Sequence, residues 1–146
     1  MDKELAKTVK HPEHYERAAV RVEKTYEPIE LCEQYAFCMG NALKYLLRAK
    51  HKGNYVEDLA KAQWYLQREF VEVDCSHEKT VELYKFFVSR DMILAFRQSN
   101  NFIRELIDNQ GTYSCDSIRK VVDMLEAEID KHTELDKKLV SVHTYI

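Results

Sequence analysis

The sequence predicts an all-α domain of five to six helices, and three observations carry that expectation. The 146 residues hold only three glycines (Gly40, Gly53, Gly111) and two prolines (Pro12, Pro28). That leaves few sites for the tight turns a strand-rich fold requires. Apolar residues recur at three- and four-residue spacing through much of the chain. Hydrophobic residues make up 45% and charged residues 32%, an ordinary globular balance in a chain whose length suits one domain, 1–146.

Residues 1–27 are polar and weakly periodic. Pro12 holds residue 11 away from helix, so an irregular arm is expected, ending in RVEKTYEP. Pro28 suits the first turn of a helix, giving a segment over about 28–37. Gly40 marks a kink or a close approach between this segment and the next. A second helix runs over about 38–51 and is broken by HKGNY, with Gly53 as its C-terminal cap. Asn54, three residues before Glu57, makes a capping-box-like start for a third helix over 55–73. Helices 38–51 and 55–73 form an antiparallel pair. The third helix collects Asp58, Lys61, Tyr65, Glu69 and Glu72 on a polar side. Val56, Leu59, Ala60, Leu66 and Phe70 fall on an apolar side, with Gln63 among them.

The stretch 77–111 is helical in pattern but long for one globular helix, so a break is expected near Ser89–Asp91 or near Asn100. Within it, Phe86, Phe87, Met92, Phe96 and Ile103 lie on more than one side, which marks a central helix or a subunit contact. The last helix starts at Ser114 and carries the stripe Ile118, Val121, Val122, Leu125, Ile129, His132 and Leu139. Long C-terminal helices over 74–146 thus supply core, an oligomer interface, or both.

The formal net charge of -3 argues against a general nucleic-acid binder. No apolar run resembles a signal peptide or a membrane span, so a cytoplasmic protein is expected. Cys32, Cys38, Cys75 and Cys115 form no CxxC pair and are expected as reduced thiols. Cys75 and His77, with Cys115 or His132, lack the second close ligand pair that zinc requires. Neither GxxxxGK[ST] nor GxGxxG is present.

The positive signal is CMGNALKYLLRAKHK, 38–52. On a helix it places Asn41, Lys44, Tyr45, Arg48 and Lys52 on one side and Met39, Ala42, Leu43, Leu46 and Leu47 on the other. Three cations spaced i, i+4, i+8 share a face without an anion. Arginine offers phosphate a bidentate fork and lysine a mobile charge. Asn41 has the donor and acceptor that a base or ribose contact needs, and Tyr45 can stack. Asp58 opens the third helix beside Lys61, where a carboxylate suits the dipole. Its functional reading is a magnesium contact or an orienting partner for Lys44 or Arg48. Glu30 and Glu33, Glu57–Asp58 and Glu69 with Glu72 raise a further option. Paired acids on facing helices hold magnesium in the all-α MazG-type pyrophosphohydrolases.

HPEHY (11–15), CMGNALKYLLRAKHKG (38–53) and EDLAKAQWYLQRE (57–69) together resemble the SaV-like phage domain family. The resemblance covers about 11–72, less than half of the chain. Its characterised representative is an early phage nucleotide kinase that phosphorylates deoxynucleoside monophosphates without a phosphate loop. The resemblance points to His14, Tyr15, Gly40, Asn41, Lys44, Tyr45, Arg48, Lys52, Asp58, Lys61 and Tyr65. One departure is Lys50, which stands where the family commonly has glycine.

What this implies is transfer of the γ-phosphoryl of ATP, with Mg2+, to a (deoxy)nucleoside monophosphate in the host bacterial cytoplasm. Lys44, Arg48 and Lys52 would neutralise phosphate oxygens. Asp58 would hold magnesium or orient Arg48, Asn41 and Tyr45 would fix base or sugar, and His14 and Tyr15 would close the pocket. One helix face is shallow, so a second helix or subunit is needed and a homo-oligomer is expected. The alternatives are a non-catalytic, nucleotide-sequestering counter-defence protein, a MazG-like hydrolase, or a structural helical oligomer.

Overall fold

The computed structural model describes residues 2–10, 20–21, 25–49, 51, 53–72 and 89–144. Seven helices lie among them: α1 (Lys3–Lys10), α2 (Pro28–Cys32), α3 (Phe37–Arg48), α4 (Tyr55–Glu72), α5 (Arg90–Ser99), α6 (Asn101–Leu106) and α7 (Cys115–Thr144). The only strands among the described residues are β1 (Val20–Arg21) and β2 (Thr25–Tyr26). They form a minimal antiparallel ribbon with Val20 opposite Tyr26. The fold is all-α.

Helix α1 lies where an irregular arm is expected. The Asp2 carboxylate accepts the Glu4 backbone N–H at 3.0 Å and so caps it, and KELAK is rich in strong helix formers. Helix α2 opens as the sequence predicts, with Pro28 in its first turn and a reciprocal Glu27–Glu30 capping box. It closes at Cys32 rather than near residue 37. Tyr35 N–H donates to the Cys32 carbonyl at 3.3 Å and Gln34 N–H to that of Leu31 at 3.1 Å, a tightened final turn. The reason is the neighbour: a Cβ on Gly40 would sit 2.9 Å from the Cys32 carbonyl oxygen. Gly40 is therefore the close approach the sequence suggests, and it seats α3 directly against the end of α2.

Helices α3 and α4 form the predicted hairpin. Gly53 turns the chain between them at φ +81°, a left-handed conformation glycine adopts without steric cost. Ser89 caps α5, its hydroxyl accepting from Met92 N–H at 3.3 Å. Asn100 then breaks the chain a second time. Its side-chain oxygen accepts from Phe102 and Ile103 N–H, and its amide donates to the Leu46 carbonyl of α3 at 3.1 Å. A helix thus starts at the first predicted break and ends at the second, while the expected helix before Ser89 and its residues Phe86 and Phe87 lie outside the described residues. Ser114 and Ser117 cap α7 reciprocally at 2.9 and 3.1 Å.

One apolar cluster runs from Tyr26 to Leu125 and includes Met39, Leu43, Leu46, Leu59, Leu66, Phe96 and Ile118. Helix α4 lies at its centre, packed on α3 and on α7. That position overturns part of the expected amphipathic split. Asp58 and Glu69, expected on the polar side, are 0% and 4% exposed, whereas Ala60 faces solvent. A helix covered on two sides buries more than one stripe.

Cys32 and Cys38 are reduced thiols, as expected. Cys115 is disulfide-bonded, which departs from the expectation of four reduced thiols. No helix among the described residues is long and apolar enough to cross a membrane.

Candidate functional site

The outward edge of α3 is built by helical phase. Cys38, Met39, Ala42, Leu43, Leu46 and Leu47 are buried, which turns Phe37, Asn41, Lys44, Tyr45 and Arg48 toward the edge shared with α4. The structure brings five of the sequence-predicted residues together around two stacked rings. Tyr45 and Tyr65 lie 5.9 Å apart at 13°. Around the Tyr45 ring, Lys44 Nζ is 4.5 Å from the centroid, Arg48 Cζ 5.1 Å and Lys61 Nζ 5.5 Å. Each such cation–π contact contributes about 0.5–1 kcal/mol at an exposed site. Asp58 and Glu57 already offset two of these three charges, so Lys44 is the one whose position favours an added anion.

Each cation is held differently. Arg48 Nε is 3.4 Å from Asp58 Oδ1, with side chains 12% and 1% exposed. Among the described residues neither Asp58 oxygen accepts a hydrogen bond, so the carboxylate acts on Arg48 as a buried counter-charge from beneath. Lys61 pairs with Glu57 at 3.0 Å. That hydrogen bond, with the nearby carboxylate charge, raises the lysine above its ordinary pKa. Lys44 has no carboxylate partner among the described residues. Asn41 donates its amide to the Phe37 carbonyl at 2.8 Å, one turn back on its own helix. His14, Tyr15, Lys50 and Lys52 lie outside the described residues.

Glu30, Asp58 and Glu69 each face a different partner. Glu30 accepts from the Glu27 N–H at 2.6 Å, Asp58 faces Arg48, and Glu69 accepts from Tyr113 at 2.6 Å. No group of three or more metal-ligating side chains occurs among the described residues. Asp58 faces Arg48 from the interior, the geometry expected of an orienting partner. Burial pushes the Cys32 thiol up to about 12 despite the nearby Lys44 charge.

Two aromatic residues escaped the sequence reading. Phe37 is 73% and Trp64 57% exposed. Both meet Tyr65 edge-on, with centroids 6.0 and 5.0 Å away at 74° and 87°. Helical phase places both outside the buried stripes, and a large aromatic at such an outward position is the signal that could have found them. A separate cleft of about 230 Å³ lies between α6 and α7, with Arg97, Arg104, Ser114 and Ser117 among its lining residues. There Arg97 donates to the Ile107 carbonyl at 2.8 Å and to Asn109, so it staples the α6–α7 turn to α5.

Residues 9–67 match the profile of a family described as a protein of unknown function, DUF3310. The match spans the α3–α4 face from Phe37 to Tyr65, together with His14 and Tyr15. No curated protein and no solved structure matches the chain.

Proposed function

We propose that the α3–α4 face binds nucleotide phosphate, and that the protein transfers the γ-phosphoryl of ATP to a (deoxy)nucleoside monophosphate without a phosphate loop. One observation carries the reading: Lys44, Arg48 and Lys61 converge on the Tyr45 ring within 4.5–5.5 Å of its centroid. Phosphoryl transfer requires little of a protein beyond positioning and charge neutralisation. Arg48, fixed by Asp58, supplies a planar fork of known orientation. Lys44, on a flexible stem, follows the phosphate oxygens. Magnesium, when present, arrives on the phosphates of ATP, and Asp58 acts through Arg48. The face is shallow, so a second face or a second subunit completes the site. That is the basis for proposing a homo-oligomer.

A nucleotide-sequestering protein is the second reading. The observation favouring it is that both described carboxylates of this face are already engaged, Asp58 with Arg48 and Glu57 with Lys61. Calorimetric titration with dTMP, dGMP and ATP, with and without magnesium, followed by product analysis, separates the two. Binding with formation of diphosphate supports transfer. Tight binding with nucleotide recovered unchanged supports capture and ends the catalytic proposal. Lys44→Ala is expected to weaken binding about tenfold to a hundredfold under both readings, the loss of a charge-assisted contact. Unchanged affinity in that variant removes the phosphate site.

A further inference from the structure

The cations account for phosphate but not for two exposed aromatic side chains beside them. Phe37 at the start of α3 and Trp64 on α4 both pack edge-on against Tyr65, and each leaves more than half of its surface in solvent. Large exposed aromatics cost free energy in water, and adjacent ones usually mark a contact surface. Here they continue a single row. Phe37 and Tyr45 sit two turns apart on α3, and Tyr65 reaches across from α4 to lie about 6 Å from each, at 6.0 and 5.9 Å. The row is apolar at its Phe37 end and cationic at its Tyr45 end.

We infer that the ledge formed by Phe37, Trp64 and Tyr65 is the base-stacking subsite of this face, and that it takes the nucleobase of a mononucleotide whose phosphates lie on Lys44 and Arg48. The inference rests on the phosphate reading above and names its substrate class. The chemistry of the two ends matches the two ends of a nucleotide. Aromatic faces stack any base, so recognition there is tolerant of sequence and of base type. A single-stranded polymer would need a cationic track for successive phosphates. Instead the three described cations of this face, Lys44, Arg48 and Lys61, gather on one ring, in a chain whose net charge is -3.

Trp64 is the chain's single tryptophan, so its emission reports this ledge alone. The experiment titrates the full chain with dGMP, ATP and inorganic tripolyphosphate, following tryptophan emission and calorimetric heat together. Saturable quenching by both nucleotides, none by tripolyphosphate, and displacement of nucleotide by tripolyphosphate are expected. Phe37→Ala should weaken the nucleotides by about tenfold and leave tripolyphosphate affinity unchanged. Phe37 is 73% exposed, so the variant should keep the wild-type circular dichroism. As a second variant, Trp64→Phe should retain most of the calorimetric affinity that Trp64→Ala loses.

Nucleotide heat with unchanged emission and an unaffected Phe37→Ala variant would overturn the base subsite and leave the phosphate site standing. Absence of any binding, tripolyphosphate included, overturns both. Quenching by oligothymidylate but not by mononucleotides replaces the proposal with a single-strand surface. Emission that tracks protein concentration and self-association in sedimentation, without nucleotide, assigns the ledge to a second copy of the chain.

Discussion

Helix α4 buries a carboxylate near each end, and the two are held in different ways. Glu69 accepts a hydrogen bond of 2.6 Å from the Tyr113 hydroxyl, and Tyr113 lies 6.0 Å from Tyr35, whose own hydroxyl donates to the Gly111 carbonyl at 2.6 Å. Those contacts join α4 to the loop before α7 and to the turn after α2. Asp58 instead faces Arg48 at 3.4 Å and accepts no hydrogen bond among the described residues. A buried charge without hydrogen bonds is a poor choice for stability, since well-packed apolar residues of similar volume serve as well or better. The Glu69 end ties core elements together. The Asp58 end holds a cation in place at the surface, where Lys44 and Lys61 share its ring.

The largest effect should come from breaking the second arrangement on one side only. Arg48→Ala leaves Asp58 charged and buried, and should cost about 3–5 kcal/mol in denaturant unfolding. Replacing both partners, Arg48→Met with Asp58→Leu, should recover most of that stability while nucleotide affinity stays lost. A double variant that is stable and still binds would mean that the pair has no part in the site, and the contrast between the two ends would fail.

The contrast also shows which features the sequence makes legible. The stripe Asn41, Lys44, Tyr45 and Arg48 is plain because α3 has one buried face, so its helical phase alone decides what points outward. The breaks at Ser89 and Asn100 are plain because capping side chains act locally. Burial of Asp58 and Glu69 is not, because periodicity cannot say that α4 is covered by α3 and α7 together. Helix α1 is missed because eight residues give too little periodic signal beside Pro12. Phe37 and Trp64 are missed for a different reason: helical phase turns both away from the buried stripes, and only a large apolar group at an outward position marks them.

At the Glu69 end the expected effect is smaller and confined to stability. Tyr113→Phe removes one hydrogen bond from a buried carboxylate and should cost about 1–3 kcal/mol, read as a lower denaturant midpoint. Nucleotide affinity should match wild type, because Tyr113 is no part of the α3–α4 face. A Tyr113→Phe chain that folds normally but binds poorly would show the two ends to be coupled through α4.

The smallest effect is one of pH, and it sharpens the same distinction. Burial, and then the Glu69 hydrogen bond and charge, push the Tyr113 hydroxyl well above the ordinary tyrosine value of 10.0. Burial does the same for Tyr35, and burial with the Glu128 hydrogen bond raises Tyr55 to about 12. A phenol whose pKa is raised by folding favours the folded state while it is protonated. Its contribution is complete below the unfolded value and declines as pH climbs from there toward the folded one, by up to about 1.4 kcal/mol per pH unit for each group. Arg48 keeps its charge across this window. Wild type should therefore exceed Tyr113→Phe in stability by a constant margin up to about pH 9.5, and that margin should shrink steadily above pH 10. Lysines and the other tyrosines titrate in both chains and largely cancel in the difference. A margin that stays flat through pH 11 would mean that Tyr113 is not held neutral against Glu69, and the stabilising role assigned to that end of α4 would have to be given up.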